Sequence, residues 1–134
     1  MPEAGGGRFV LTGGVEIAAI IVTYGSAADL GALIDGLRAE ARDVALRVIV
    51  ADNSPDDDTL RVARAHPDVI AVPTHGNLGY AGGVNVGLHY AGDAEAVLIL
   101  NPDLRVRAGV LRTLLERLRE DPDRGAVVPR IVDT

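Results

Sequence analysis

No cysteine occurs in the 134 residues, which excludes a disulfide scaffold, a thiolate nucleophile and cysteine-ligated zinc. Lysine is missing as well, so all 13 basic residues are arginine. That removes the P-loop, whose lysine reaches the β- and γ-phosphates, and any Schiff-base chemistry. Phosphate charge would have to be met by arginine, backbone amides or a metal ion. Tryptophan is absent and phenylalanine occurs once, leaving few aromatic platforms for stacking. No stretch concentrates the arginines, and the net charge is −6 with a pI near 4.9. A phosphate-tracking basic face is therefore not expected, and nucleic acid is not an expected partner. The opening Met-Pro-Glu-Ala-Gly-Gly-Gly does not read as a secretory signal, having an acid where basic residues are expected. The longest apolar run, Ile17 to Tyr24, is far short of the roughly 20 residues that span a bilayer. No transmembrane segment and a cytoplasmic location are the expectations.

What is present describes one globular domain: 48% hydrophobic and 24% charged residues with a mean hydropathy of +0.20. Residues 1–14 are Gly-rich and aperiodic and read as a flexible N-terminal segment, leaving 15–134 as the domain. Strand-like and helix-like stretches then alternate. Val15 to Tyr24 is a β-branched run, and Leu30, Leu33, Ile34, Leu37 and Ala41 recur at helical spacing, predicting a helix over 27–42. Leu46 to Asp52 reads as a second buried strand. Ser54 as cap, Pro55 at the first helical position and the acids after it predict a helix to about His66, stopped by Pro67. Residues 68–72 and 96–100 read as strands, 81–91 and 107–120 as helices, and Ala126 to Val132 as a fifth strand. Nearly continuous apolar strands separated by helices predict an α/β fold with a mostly parallel sheet covered on both faces.

In such folds ligands bind beyond the carboxyl ends of the strands, so the polar residues there are the candidates. They are Thr23 and Tyr24, Asp52 and Asn53, the segment from Thr74 to Gly79, and Asn101-Pro102-Asp103; the four asparagines (53, 77, 85 and 101) all fall in these loops or just beyond. A carboxylate at Asp52 can accept from a ribose hydroxyl or a base imide, or can merely shape a turn. Between Asn77 and Gly87 the density of Gly and Asn lets backbone approach a ligand ahead of a helix N-terminus, though small residues also serve tight helix–sheet packing. Asp103, stiffened by Pro102, can hold a hard divalent cation through oxygen or cap the next helix. His66, His75 and His89 match no metal-binding spacing, and Asp56-Asp57-Asp58 complements a helix dipole.

The order of these motifs resembles the N-terminal half of family 2 glycosyltransferases. They are an apolar strand ending in Thr-Tyr, Asp52-Asn53-Ser54 with acids and Thr59, Asn77-x-Gly79 with Asn85-x-Gly87, and Leu100-Asn101-Pro102-Asp103. The resemblance covers about residues 15–133 and is nearest to the rhamnosyltransferase-like branch, where an Asn-Pro-Asp triplet stands in place of Asp-x-Asp. It implies a Rossmann-like GT-A nucleotide-binding half and inverting transfer from a nucleotide-diphosphate sugar, of uridine or deoxythymidine, to an acceptor hydroxyl on a glycan or lipid-linked sugar. Thr23, Tyr24 and Gly25 would line the nucleoside pocket, with Asp52 on the base or ribose and Asn53 beside it. Asn77, Gly79 and the loop to Asn85 would close over the nucleotide, Asp103 would hold Mg²⁺ or Mn²⁺ against the diphosphate, and Asn101 would face the ribose. Two departures accompany the match. Asn101 replaces the first acid of Asp-x-Asp, and the family's general base, a carboxylate in a later motif, has no counterpart before Thr134. The expectation is a truncated donor-binding region, with no catalytic residue of its own and inactive alone, whose exposed sheet edge favours homo-oligomers. A degenerate nucleotide-binding or assembly domain is the alternative. A sugar-1-phosphate nucleotidyltransferase ranks below it, for want of that class's Gly-rich loop and lysine.

Overall fold

The computed structural model describes residues 6–133. Eight elements alternate along the chain: β1 (Ile17–Thr23), α1 (Ala27–Glu40), β2 (Leu46–Asp52), α2 (Asp58–Arg64), β3 (Val69–Pro73), α3 (Gly79–Leu88), β4 (Ala96–Leu100) and α4 (Val110–Arg119). The sheet is wholly parallel, in the order β3-β2-β1-β4. Central position explains composition: every residue of β1 and β2 is buried, and both are apolar runs broken only by Arg47 and the terminal Thr23 and Asp52. The outer strands β3 and β4 are only partly covered.

Two steps in one direction carry the chain from β1 to β2 to β3, and the third crossover returns past β1 to β4. Because parallel crossovers are right-handed, that reversal sends α3 to the opposite face from α1 and α2. The two cores follow. On one face Leu30, Leu33, Ile34 and Leu37 of α1, Ala63 of α2, and Leu111 and Leu115 of α4 pack on Ile17, Ala19, Ile21, Val48 and Val50. On the other, Ala18, Ile20, Val22 and Ile49 meet α3 through its glycines: a Cβ at Gly83 would stand 2.6 Å from Val22 and one at Gly87 2.5 Å from Ile20.

Several expectations need correction. Residues 6–13 are not a loose lead-in. Phe9 is 4% exposed beneath the Arg38 guanidinium, 4.3 Å from its ring centre, and the Val10 N–H bonds Leu46 O at 2.7 Å. Arg47, on β2 and buried, donates to the carbonyls of Val10 and Leu11 and, across the sheet edge, to Ala91. A guanidinium that must be buried needs fixed acceptors, and the N-terminal segment supplies them. Residues 1–5 of the expected flexible segment lie outside the described residues.

The helix after β2 starts at Asp58 and not at Pro55, because Ser54 is already engaged by Asp52. The helix expected over 81–91 runs over 79–88, its exit tightened by i→i−3 bonds from His89, Tyr90 and Ala91. That expected from 107 begins at Val110, since Leu104 and Val106 are drawn into the core ahead of it. No fifth strand forms at 126–132. Pro129 has no N–H to give a ladder, Val128 is 84% exposed, and among the described residues nothing pairs with the outer edge of β4.

Candidate functional site

The register sets the site. Thr23 pairs with Asp52 and Asp52 with Pro73, so β1, β2 and β3 end side by side, and Leu100 of β4 ends level with Ile21. Four carboxyl-terminal loops therefore share one edge of the sheet, the edge at which open α/β sheets bind ligands.

Asp52 is the hub of that edge and only 2% exposed. Its Oδ1 accepts from Thr23 Oγ1 at 2.8 Å, from Ser54 Oγ at 2.7 Å and from the Ser54 N–H at 3.2 Å. Ser54 Oγ in turn accepts the Gly25 N–H at 2.7 Å, which joins the turn after β1, where Gly25 adopts φ +58, to the end of β2. All of this converges on one carboxylate oxygen. The other, Oδ2, is buried and has no hydrogen-bond partner among the described residues. A buried acceptor left unpaired costs about 1–3 kcal/mol, which makes this oxygen a candidate acceptor for a donor from outside the fold.

Directly beside Asp52, its neighbours Asn53 and Ser54 help line an open cavity of about 490 Å³ between the start of α2 and the loop after β3. Tyr24, exposed at the end of β1, forms one wall, and His75 and Asn77 form another. The loop 74–79 carries three residues with positive φ: His75 at +61, Gly76 at +152 and Gly79 at +74. For a histidine that is a left-handed conformation costing about 1–2 kcal/mol, seen chiefly where surroundings force it. Asn77 Oδ1 accepts the Gly79 N–H at 3.0 Å, closing a turn that feeds into α3. Asn53, 4% exposed, bridges its own strand end to this loop.

Of the sequence candidates, Tyr24, Asn53 and Asn77 line the cavity, while Thr23, Gly25, Asp52, Gly79, Asn85, Asn101 and Asp103 lie outside its lining. Asn85 lies exposed on α3, six residues past Gly79. Asn101 and Asp103 follow β4, on the far side of β1 from the cavity; Asn101 O accepts the Leu104 N–H at 3.2 Å, and Asp103 is exposed and makes no ion pair among the described residues. Sequence reading did not single out Arg64, which reaches the cavity from α2 together with Leu60. Four-residue spacing puts those two on one helical face, a signal that acquires meaning only once α2 is placed beside the loop after β3.

No group of three or more metal-ligating side chains occurs among the described residues. One free carboxylate still suits a hard cation that takes its remaining oxygens from a phosphate-bearing ligand and water, the usual mode of Mg²⁺.

The parallel sheet with helices on both faces is an α/β fold of the GT-A glycosyltransferase type. The chain belongs to glycosyl transferase family 2, whose family model matches residues 18–134. Among curated relatives, it is 32% identical over 121 residues to the low-salt glycan biosynthesis hexosyltransferase Agl10 of Haloferax volcanii, covering 88% of this chain and 37% of that protein. It is 32% identical over 125 residues to the N-acetylglucosaminyl-diphospho-decaprenol L-rhamnosyltransferase of Mycobacterium tuberculosis, covering 85% of this chain and 40% of that one. The chain thus spans about two fifths of the length of these relatives. Its fold matches the crystal structure of S. aureus TarS 1–349 in complex with UDP, with TM-score 0.67 and 22% identity over 86% of this chain and 38% of that one. The mannosyltransferase PcManGT from Pyrobaculum calidifontis, in complex with GDP-Man and Mn²⁺, matches with TM-score 0.67 and 26% identity over 91% of this chain and 36% of that one. No described helix is long and apolar enough to cross a membrane.

Proposed function

We propose that these residues form the donor-binding region of an inverting glycosyltransferase, taking a nucleotide-diphosphate sugar whose glycosyl group goes to the hydroxyl of a glycan or lipid-linked acceptor. The observation that carries the reading is the unpartnered, buried Oδ2 of Asp52 at the carboxyl edge of the sheet, next in sequence to Asn53 and Ser54 of the cavity's lining. A uracil or thymine imide, or a ribose hydroxyl, is a donor of the kind that oxygen lacks. Thr23, Tyr24 and Gly25 wall the nucleoside on one side. Asn77 and Gly79, with the helix leading to Asn85, close over it on the other. Asn101 then faces the ribose and Asp103 the diphosphate.

Asp103 is the residue that would hold Mg²⁺ or Mn²⁺, its exposed and unpaired carboxylate suiting an ion shared with a diphosphate. Such an ion supplies charge neutralisation to the departing diphosphate, a role that lysine fills elsewhere and that a lysine-free chain leaves open. The mannosyltransferase neighbour bound to GDP-Man and Mn²⁺ supports that assignment. These residues bind and orient the donor. Deprotonation of the acceptor hydroxyl needs a general base that none of them supplies.

Calorimetric titration with UDP, dTDP and GDP, with and without Mn²⁺, tests the reading. The expected result is Mn²⁺-dependent binding of at least one nucleotide that disappears in Asp103→Ala. Absence of binding by all three in the presence of Mn²⁺ would overturn it.

A further inference from the structure

We infer that Asn53 is a positioning residue of this site: its side-chain amide latches the 74–79 loop and the first turn of α3 to the end of β2. The inference rests on the donor-binding reading for its functional consequence and on geometry alone for the latch itself.

Strand alternation comes first. Asp52 shares the α1 side of the sheet with Val48 and Val50, so Asn53 turns to the α3 side, as Ile49 does. There Gly83 makes room for it: a Cβ at that position would lie 3.4 Å from Asn53 Nδ2. Oδ1 accepts from Thr74 Oγ1 at 2.5 Å and from the Leu78 N–H at 3.4 Å, and Nδ2 donates to Gly79 O at 3.0 Å. The amide has no freedom to flip. A backbone N–H can only donate and a backbone carbonyl can only accept, so Leu78 demands the oxygen and Gly79 the nitrogen. Both lone pairs of Oδ1 are then used, and its acceptor capacity is spent on the loop and none of it on a ligand.

The loop needs such a tie. His75 at φ +61 is the one described non-glycine residue with positive φ, and it lies between Thr74 and Asn77 with glycines at 76 and 79 also turned left-handed. Backbone of this kind persists only where its surroundings over-determine it. Thr74 Oγ1 also lies 3.1 Å from Asp52 O and 2.7 Å from Gly76 O, but its single hydrogen goes to the nearest acceptor, Asn53 Oδ1. Asn53 thus places the wall formed by His75 and Asn77 from a position that is itself part of the cavity's lining.

The test pairs hydrogen exchange of the segment 74–82 with titration by UDP, dTDP and GDP in Mn²⁺, on the wild-type chain, Asn53→Ala and Asn53→Asp. The aspartate keeps acceptors for Thr74 and Leu78 but turns an acceptor toward Gly79 O. We expect faster exchange over 74–82 in both variants, with β1 and β2 unchanged, and nucleotide affinity lowered about tenfold, the effect of losing one or two net hydrogen bonds. Thr74→Val, which removes only the hydroxyl, is the milder variant if Asn53→Ala does not fold, and it should show the same pattern at smaller size. Unchanged exchange in the variants overturns the latch. Faster exchange with wild-type affinity in the folded fraction overturns the positioning role, reducing Asn53 to a structural residue. A wild-type chain that binds no nucleotide overturns the donor-binding reading instead, while the exchange arm still decides the latch.

Discussion

Glu40, in the last turn of α1, caps α4 from 71 residues away: its Oε1 accepts the backbone N–H of Leu111 at 3.1 Å while Oε2 accepts that of Gly109 at the same distance. The start of α4 has no capping side chain of its own, since the residue before it is Gly109 at φ +83. The buried Glu40 carboxylate supplies the missing acceptors and a negative charge at the positive end of the helix dipole. Glu40→Ala should lower stability by about 2–3 kcal/mol, because two largely buried donors lose their partner, and Glu40→Gln by about half that. Urea denaturation would read both, and an unchanged midpoint for Glu40→Ala would show that the cap is dispensable.

Two helical glycines should respond oppositely to the same change. Within α1, a Cβ at Gly31 meets only the Val62 Cγ1 at 3.9 Å, an ordinary contact. Gly31→Ala should therefore stabilise by about 0.5–1 kcal/mol through helix propensity and reduced unfolded-state entropy. At Gly87 the new Cβ would fall 2.5 Å from Ile20, a fully buried side chain on a central strand that cannot retreat. Overpacking outweighs propensity there, and Gly87→Ala should cost about 1–3 kcal/mol. Thermal melts showing the same sign for both variants would contradict the close seating of α3.

Acid should unfold the chain through two anchored carboxylates. Asp68 is held at about 2 against an ordinary 3.8, chiefly by the Arg38 guanidinium, which bonds it at 2.7 and 2.8 Å, and further by the Phe9 N–H. Glu16 is likewise held at about 2 against 4.5, first by the Ala45 N–H and then by Arg119 and Arg112. Both folded values lie below the unfolded ones. Their stabilisation is therefore complete above pH 4.5 and lost as pH falls toward 2. Asp68 alone accounts for an effect on the order of 2 kcal/mol. Melting temperature should fall over that window, and Asp68→Asn should flatten the fall while lowering stability at neutral pH. A profile as steep in Asp68→Asn as in the wild type would remove Asp68 from the explanation.

Asp52→Asn should separate folding from binding. An asparagine can present its carbonyl to Thr23 and Ser54, as Oδ1 does now, and set its amide nitrogen where Oδ2 has no partner. A neutral group in that buried place is no harder to accommodate than a charged one, so stability should change by no more than about 1 kcal/mol. A ligand N–H or O–H would then face another donor, and nucleotide affinity should fall by about 10–100-fold, the price of one misdirected buried hydrogen bond. Equal affinities in the two proteins would mean that Oδ2 is not where the ligand binds.

Much of the sheet is written in runs that need no tertiary information. β1 and β2 appear in the sequence within a residue or two of where they form, because a strand buried on both faces is mostly apolar whatever surrounds it; β4 is as legible from its apolar run although Val97 and Ile99 stand exposed on the edge strand. The candidate edge is legible as well, since the first polar residue after such a run marks where the strand ends even where it stays buried: Thr23, Asp52 and Asn101. Helix ends were less legible. Ser54-Pro55 has every local mark of a helix start, yet Asp52 takes the Ser54 hydroxyl and the helix waits for Asp58. Ala126 to Val132 has strand propensity but finds no ladder, since propensity cannot supply a neighbour.

Sequence by itself determined the α/β class, the alternation of elements and the polar residues at the carboxyl edge, since apolar periodicity records burial directly. Tertiary structure alone decided which of those residues act on one another. Register brought Thr23 alongside Asp52, so that one carboxylate oxygen is saturated and the other left open. Packing turned Asn53 toward the loop at 74–79, and it drew Glu40 to a helix start far along the chain. Hydrogen bonds between residues distant in sequence leave no periodic trace, because each needs only one donor and one acceptor, and only the folded geometry selects the pair.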